Sequence, residues 1–251
     1  MNRIVAVAQM ALCLVFVFCN NGGGQTRPAE LVGHWVEMSE KNGNVGKSKM
    51  ELFKDGTGVS DDKSISWKVE NKRFVILSSN KGLSCDYDVS SYELILFEDN
   101  GNNKVYVKKE IWDIWEPALK AAINGEYDKA ITVWSEVIKK YPNYVGTYSS
   151  RAEAYSRKGD NDKALADYTK IIQIGKRPSD IIGAYMGRGY IYFAKVEDYD
   201  KAIKDFELTL QKVSSSSADD KFFVLLGTKK EELIEILKNL LDSAKEEKGN
   251  K

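Results

Sequence analysis

Polar and apolar positions follow two different periods along this chain, and the switch between them falls near Ile111. From residue 30 to 109 they alternate. Gly33–Met38, Ser48–Phe53, Ser64–Val69, Arg73–Leu77, Ser84–Val89, Tyr92–Phe97 and Val105–Lys108 each read as a short strand with one apolar face. Between them lie Lys54–Gly58, Glu70–Lys72, Asn80–Gly82 and Asp99–Asn103, runs of glycine, asparagine and charge that favour tight turns. Seven or eight short strands joined this way predict an up-and-down antiparallel barrel or a curled sheet. Beyond Ile111 apolar residues recur at three and four, the spacing of amphipathic helices.

The helical part repeats itself. Gly125–Ile131, Gly159–Leu165 and Glu197–Ile203 realign in register, about 34 residues apart, around Ala130, Ala164 and Ala202. Four residues after each alanine comes an aromatic: Trp134, Tyr168 and Phe206. Small residues belong where two helices of a pair touch, and aromatics one turn later on that face fill the gap to the next pair. Gly125 and Gly159 suit the left-handed end of a first helix, and Pro142 stops a second one. The units span about 111–144, 145–178 and 182–212. The third gains one residue around Val196. Pro117 interrupts the first, and Asp113 with Glu116 is read as a cap that leaves it near the first turn. Residues 213–251 read as a polar link, a capping box at Thr228–Glu231, and an amphipathic helix to about Glu247. Leu233, Ile236, Leu237, Leu240 and Leu241 share one face of that helix, which is read as the cover over the end of the stack, and a charged tail follows.

These repeats strongly resemble the tetratricopeptide repeat family, with Tyr148, Ala152, Tyr155, Ala164 and Tyr168 of the middle unit all in family positions. The resemblance implies an all-α superhelix whose concave face is built from the first helix of each pair. That places Trp115 and Leu119, then Ser149, Glu153 and Arg157, then Met186 and Tyr190 in a candidate groove for a protein or peptide. The lysines and asparagines of the family's clamp for a terminal carboxylate are absent from these positions. The β segments resemble small lipocalin-like domains of bacterial exported proteins. The resemblance rests on Leu31–Trp35, Glu51–Gly58, Ile65–Val69 and Tyr92–Leu96, and it implies that Trp35 closes the base of the barrel. About eighty residues favour an interior filled by side chains over a calyx.

The chain opens on Met1–Arg3 and an apolar run from Ile4 to Phe18, too short for a comfortable membrane span and the length of a signal-peptide core. Cys19 follows, then a loose stretch over 20–29. This resembles a bacterial lipoprotein signal over 1–19, implying lipidation of Cys19 and residence in the envelope as a periplasmic or outer-membrane lipoprotein. Phe18 departs from the small residue usual there, and simple cleavage with secretion, or an uncleaved anchor, remains open.

Composition prunes the chemistry. Lysine plus arginine number 37 and aspartate plus glutamate 37, so the basic footprint of a nucleic-acid binder is missing. At 251 residues, 43% hydrophobic and 29% charged, the chain can bury a core and is long enough for one large or two modest domains. Its single histidine, His34, and three cysteines, of which Cys13 and Cys19 lie in the leader, leave no metal, disulfide or catalytic triad arrangement. Cys85 reads as a half-buried strand residue. Gly43–Ser48 mimics a phosphate loop but lacks its first glycine and any following helix. No catalytic or cofactor site is predicted. A non-enzymatic interaction protein leads, with a lipocalin-like carrier of a small apolar ligand and an enzyme of unrecognised site as alternatives.

Overall fold

Eight strands, each meeting its sequence neighbours edge to edge, close on themselves because the first also pairs with the last. The computed structural model describes residues 31–37, 49–54, 57–70, 73–78, 82–89, 92–97, 104–216, 223 and 228–250. The leader over 1–19 with Cys13 and Cys19, the stretch 20–29 and the Gly43–Ser48 decoy lie outside these residues. So do Asp55, Gly56, the centres of the remaining predicted turns, and much of the polar link. Contacts divide the chain into one unit running up to Ile114 and another from Trp115 to Lys251.

The barrel strands are β1 (Gly33–Glu37), β2 (Lys49–Leu52), β3 (Thr57–Ser60), β4 (Lys63–Glu70), β5 (Arg73–Ser78), β6 (Gly82–Val89), β7 (Glu93–Phe97) and β8 (Lys104–Lys108). All neighbours are antiparallel, and closure pairs Trp35 with Lys108 and Val36 with Val107. Inward positions alternate as the pleat requires. Leu31, Trp35, Met50, Leu52, Ile65, Trp67, Phe74, Cys85, Leu94, Leu96 and Tyr106 form one buried cluster in the interior. Trp35 donates its indole N–H to the carbonyl of Leu31 at 2.8 Å, and Trp67 donates to the carbonyls of Phe53 and Thr57. Cys85 is fully rather than half buried, because it faces the interior opposite Phe74.

Strand β3 lies where the sequence predicts a turn: Gly58 sits inside it, and a Cβ there would come 2.4 Å from the Glu51 carbonyl. Here glycine serves close backbone approach rather than a bend. The tight turn comes later, at Asp61 and Asp62, both with positive φ (47° and 63°). Two consecutive left-handed residues make the hairpin turn that matches strand twist. Asp61 fastens it, its side chain accepting from the Lys49 N–H at 2.9 Å.

The helices are α1 (Lys109–Ile123), α2 (Tyr127–Lys140), α3 (Val145–Lys158), α4 (Asn161–Ile174), α5 (Pro178–Ile191), α6 (Tyr199–Ser215) and α7 (Lys230–Gly249). The fold class is thus an antiparallel β barrel followed by a helical region with the pairing of tetratricopeptide repeats. Ala130, Ala164 and Ala202 are fully buried, and Trp134, Tyr168 and Phe206 nearly so. A Cβ on Gly187 would meet the Tyr168 ring at 2.6 Å, and one on Gly189 would meet Phe206 at 2.9 Å. Gly125 and Gly159 take the left-handed conformation (φ 78° and 89°) that ends α1 and α3.

Three expectations are corrected. Pro117 lies in the interior of α1, not near a capped first turn, since the helix starts at Lys109. Ile111, Trp112, Trp115, Ala118 and Ala121 are all buried along that helix, and their burial outweighs the hydrogen bond lost at exposed Pro117. The third pair begins at Pro178 rather than 182, with proline at its first helical position. The box at Thr228–Glu231 shifts by one residue. Helix α7 opens at Lys230, and the Glu232 carboxylate accepts from the Lys229 N–H at 3.4 Å and the Thr228 hydroxyl at 3.0 Å.

The extra residue near Val196 has a clear physical form. Helix α5 continues into a π turn, Tyr192–Val196, which accommodates one additional residue per turn, and Glu197 then takes the left-handed place (φ 56°). Phe193 on that turn stacks near Tyr199 and Phe206, with ring centroids 6.0 and 6.3 Å away. Leu233, Leu237, Leu240, Leu241 and Ala244 form the buried face of α7, and the last three join Ala202 and Phe206 in one cluster.

Candidate functional site

The residues predicted to line a concave groove fall on three successive first helices, α1, α3 and α5, at matching places relative to the repeat alanines. Trp115, Ser149 and Met186 share one place; Leu119, Glu153 and Tyr190 sit one turn on; Arg157 sits a further turn on. The first row is closed to solvent: Trp115 is 5%, Ser149 7% and Met186 5% exposed. Trp115 packs against Trp134 with ring centroids 6.3 Å apart, as a core aromatic does. Leu119, Glu153 and Tyr190 are half-buried and Arg157 is exposed, so the accessible part of the row is this second set.

Glu153 and Arg157 are already partnered. The Arg157 Nε donates to Glu153 Oε1 at 2.6 Å. Partial burial alone would lower the guanidinium pKa, and the Glu153 charge with the guanidinium's hydrogen bonds to Glu153 and Tyr127 holds it above its ordinary value. The surface between Leu119 and Tyr190 is therefore a neutralised acid–base pair flanked by apolar and aromatic groups. Ile123, at the place on α1 that Arg157 occupies on α3, is 74% exposed, the most open large apolar residue described. The sequence reading passed over it, although it falls on the same helical row.

A second arrangement was also overlooked. Arg151 on α3 forks onto Asp167 of α4, Nε to Oδ2 at 2.8 Å and Nη2 to Oδ1 at 2.7 Å, while its Nη1 donates to the Ser135 hydroxyl of α2 at 2.9 Å. Arg188 on α5 does the same one unit later. It holds Asp205 of α6 at 2.8 and 2.9 Å and the Thr169 hydroxyl of α4 at 3.0 Å. Each hydroxyl in turn donates to its own helix, Ser135 to Ile131 and Thr169 to Leu165. Burial tends to lower the Arg151 pKa, and Asp167 outweighs it. For Arg188 the Asp205 hydrogen bond is the leading cause of the rise. The signal was present in the repeat register: an arginine thirteen before Ala164, an aspartate three after it, and a hydroxyl five after each of Ala130 and Ala164.

Elsewhere the chemistry is plain. His34 pairs with Glu51 at 3.0 Å on the barrel exterior. Among the described residues no group of three or more histidine, cysteine or acidic side chains is placed to hold a metal, and no helix is long and apolar enough to cross a membrane.

With this geometry in hand, comparison with known proteins gives the class. Two tetratricopeptide repeat family profiles match residues 118–144 and 145–174, consecutive stretches that contain α2, α3 and α4. Helices α2–α4 therefore lie within tetratricopeptide repeats, and repeats of this family build protein–protein interaction scaffolds. The chain is also similar to Hsp70-Hsp90 organizing protein 3 of Arabidopsis thaliana, 37% identical over 82 residues. That stretch is 33% of this chain and 14% of the relative, so the chain spans about a seventh of the relative's length.

Proposed function

We propose that this protein is a non-enzymatic scaffold of the cell envelope that captures a protein or peptide partner on the first helices of its repeat stack. The observation that carries this reading is the repeat arrangement itself: α2–α4 lie within matched tetratricopeptide repeats, and the next pair repeats their alanine and aromatic pattern. The relative's printed name describes an organiser of Hsp70 and Hsp90, and the role carried over is only the general one of holding proteins. The accessible row Leu119, Ile123, Glu153, Arg157 and Tyr190 suits a partner with an apolar anchor and balanced polar flanks. The barrel, whose core cluster is built from apolar side chains, acts as a folded companion domain rather than a carrier.

Envelope residence rests on the apolar run Ile4–Phe18 followed by Cys19 and a glycine-rich stretch. In this reading Cys19 is lipidated and anchors the protein to a membrane. Labelled fatty acid should enter the wild-type protein and not Cys19→Ala, which should move to the soluble fraction; no label in wild type would end the lipoprotein reading. The groove is tested by capture from membrane extract. Wild type should retain a defined partner that Arg157→Glu with Tyr190→Ala loses at unchanged helicity, and normal binding by that double variant would place the site elsewhere.

A further inference from the structure

The two arginine junctions do more than fill space, because each joins three helices from two consecutive pairs. Arg151 belongs to α3, its aspartate to α4 and its hydroxyl to α2. Arg188 belongs to α5, its aspartate to α6 and its hydroxyl to α4. Helix α4 takes part in both, so the junctions form an unbroken series from α2 to α6. The series starts at α2 because Pro117 and Val133 occupy the first unit's arginine and aspartate places. Glu207 stands at the third unit's hydroxyl place.

The aspartate side chains are 7% and 3% exposed and the arginines 17% and 18%. A buried charge stripped of its partner is costly, more so than the pair is stabilising. Peeling α4 away alone would strand the Arg151 guanidinium, whereas peeling α2 away alone would cost Arg151 its hydroxyl bond to Ser135. Repeat stacks ordinarily gain stability unit by unit through nearest-neighbour contacts. Here each fork ties the two helices of one pair, and the same arginine's hydroxyl bond ties that pair to the helix before it. The spacing adapts to preserve them: arginine and aspartate lie sixteen positions apart in the middle pair and seventeen in the next, and the additional residue is absorbed by the π turn.

We propose that the Arg151 and Arg188 junctions lock α2 to α6 into a single cooperative block, and that α1 opens independently of it. Such a block would present a groove wall already set in shape before a partner arrives.

Amide exchange of the full chain, read by helix and titrated with denaturant, tests this. In wild type, α2 to α6 should share one denaturant dependence while α1 exchanges at lower protection. Arg151→Lys keeps the charge but loses the fork, so protection should fall roughly tenfold or more across α2 to α6 together. Ser135→Ala is the milder variant, removing only the link to α2, and should release α2 ahead of α3 and α4. Separate denaturant dependences for α2, α4 and α6 in wild type would overturn the proposal. So would a Ser135→Ala protein in which α2 keeps wild-type protection.

Discussion

The barrel and the helical stack solve the same problem of burial in opposite ways. In the barrel one cluster, from Leu31 to Tyr106, gathers inward residues of all eight strands except the glycine-bearing β3, and closure between β1 and β8 leaves no open edge in the ladder. In the stack the core is divided. One cluster surrounds Ala164 and Tyr168 and another surrounds Ala202 and Phe206; Tyr168 rests on Gly187 of the next pair, and Phe206 on Gly189 of its own. A closed sheet shares every loss over one core, whereas a linear stack passes it to neighbours. The stack adds buried ion pairs inside its pairs, whose arginines also reach across the seams to the Ser135 and Thr169 hydroxyls; the residues in the barrel cluster are apolar or aromatic.

That contrast yields predictions in descending size. Phe74 is fully buried between Trp67 and Tyr87, with both ring centroids 6.0 Å away. Phe74→Ala should cost about 3–5 kcal/mol and unfold the barrel as a whole while leaving helical ellipticity intact. Near-ultraviolet and far-ultraviolet melts recorded together check it, and a joint loss of both signals would erase the distinction between the regions.

Ala164→Leu should cost about 1–3 kcal/mol by forcing methylenes into a fully buried helix contact. Its damage should spread along the stack and spare the barrel. Exchange data confining the loss to α3 and α4 would show that the pairs are independent.

Smaller still is Asp198→Ala at the start of α6, where the carboxylate accepts from the Lys201 N–H at 3.2 Å. Loss of such a cap costs about 0.5–2 kcal/mol. The Lys201 side chain first, then the backbone bond, holds Asp198 below the usual carboxylate range. A depressed folded value means the stabilisation is present above the unfolded carboxylate range and disappears as pH falls through the folded value. Acid titration of stability should therefore be shallower in the variant, and parallel titration curves would refute the assignment.

The least effect belongs to Glu153→Gln, which removes an exposed pair one turn long and should change stability by about 0.2–0.5 kcal/mol. Denaturant midpoints of the two proteins measure it. A larger loss would mean Arg157 is structural rather than part of an accessible surface.

How well the chain could be read differs between the regions for the same physical reason. Helix pairs announce themselves because each must reproduce the same contact, so Ala130, Ala164 and Ala202 recur with their aromatics in register. The insertion near Val196 was visible as a break in that register, though its π geometry was not. Strand β3 was hidden because Gly58 reads as a turn until the Glu51 carbonyl beside it is seen. The Arg151 and Arg188 junctions were overlooked because a charged residue at a helix surface usually means solvent. Only the pairing of offsets across two units gives them away. For a similar cause periodicity assigns a face but not its exposure, and Trp115, Ser149 and Met186 are buried.

The central claim is that partners are held by the first helices of the stack. Amide exchange of the full chain with and without its captured partner addresses it most directly. The account predicts new protection on the peptides of α1, α3 and α5 that contain Leu119, Glu153 and Tyr190, with α2, α4 and α6 unchanged. Protection confined to the second helices or to the barrel would contradict it.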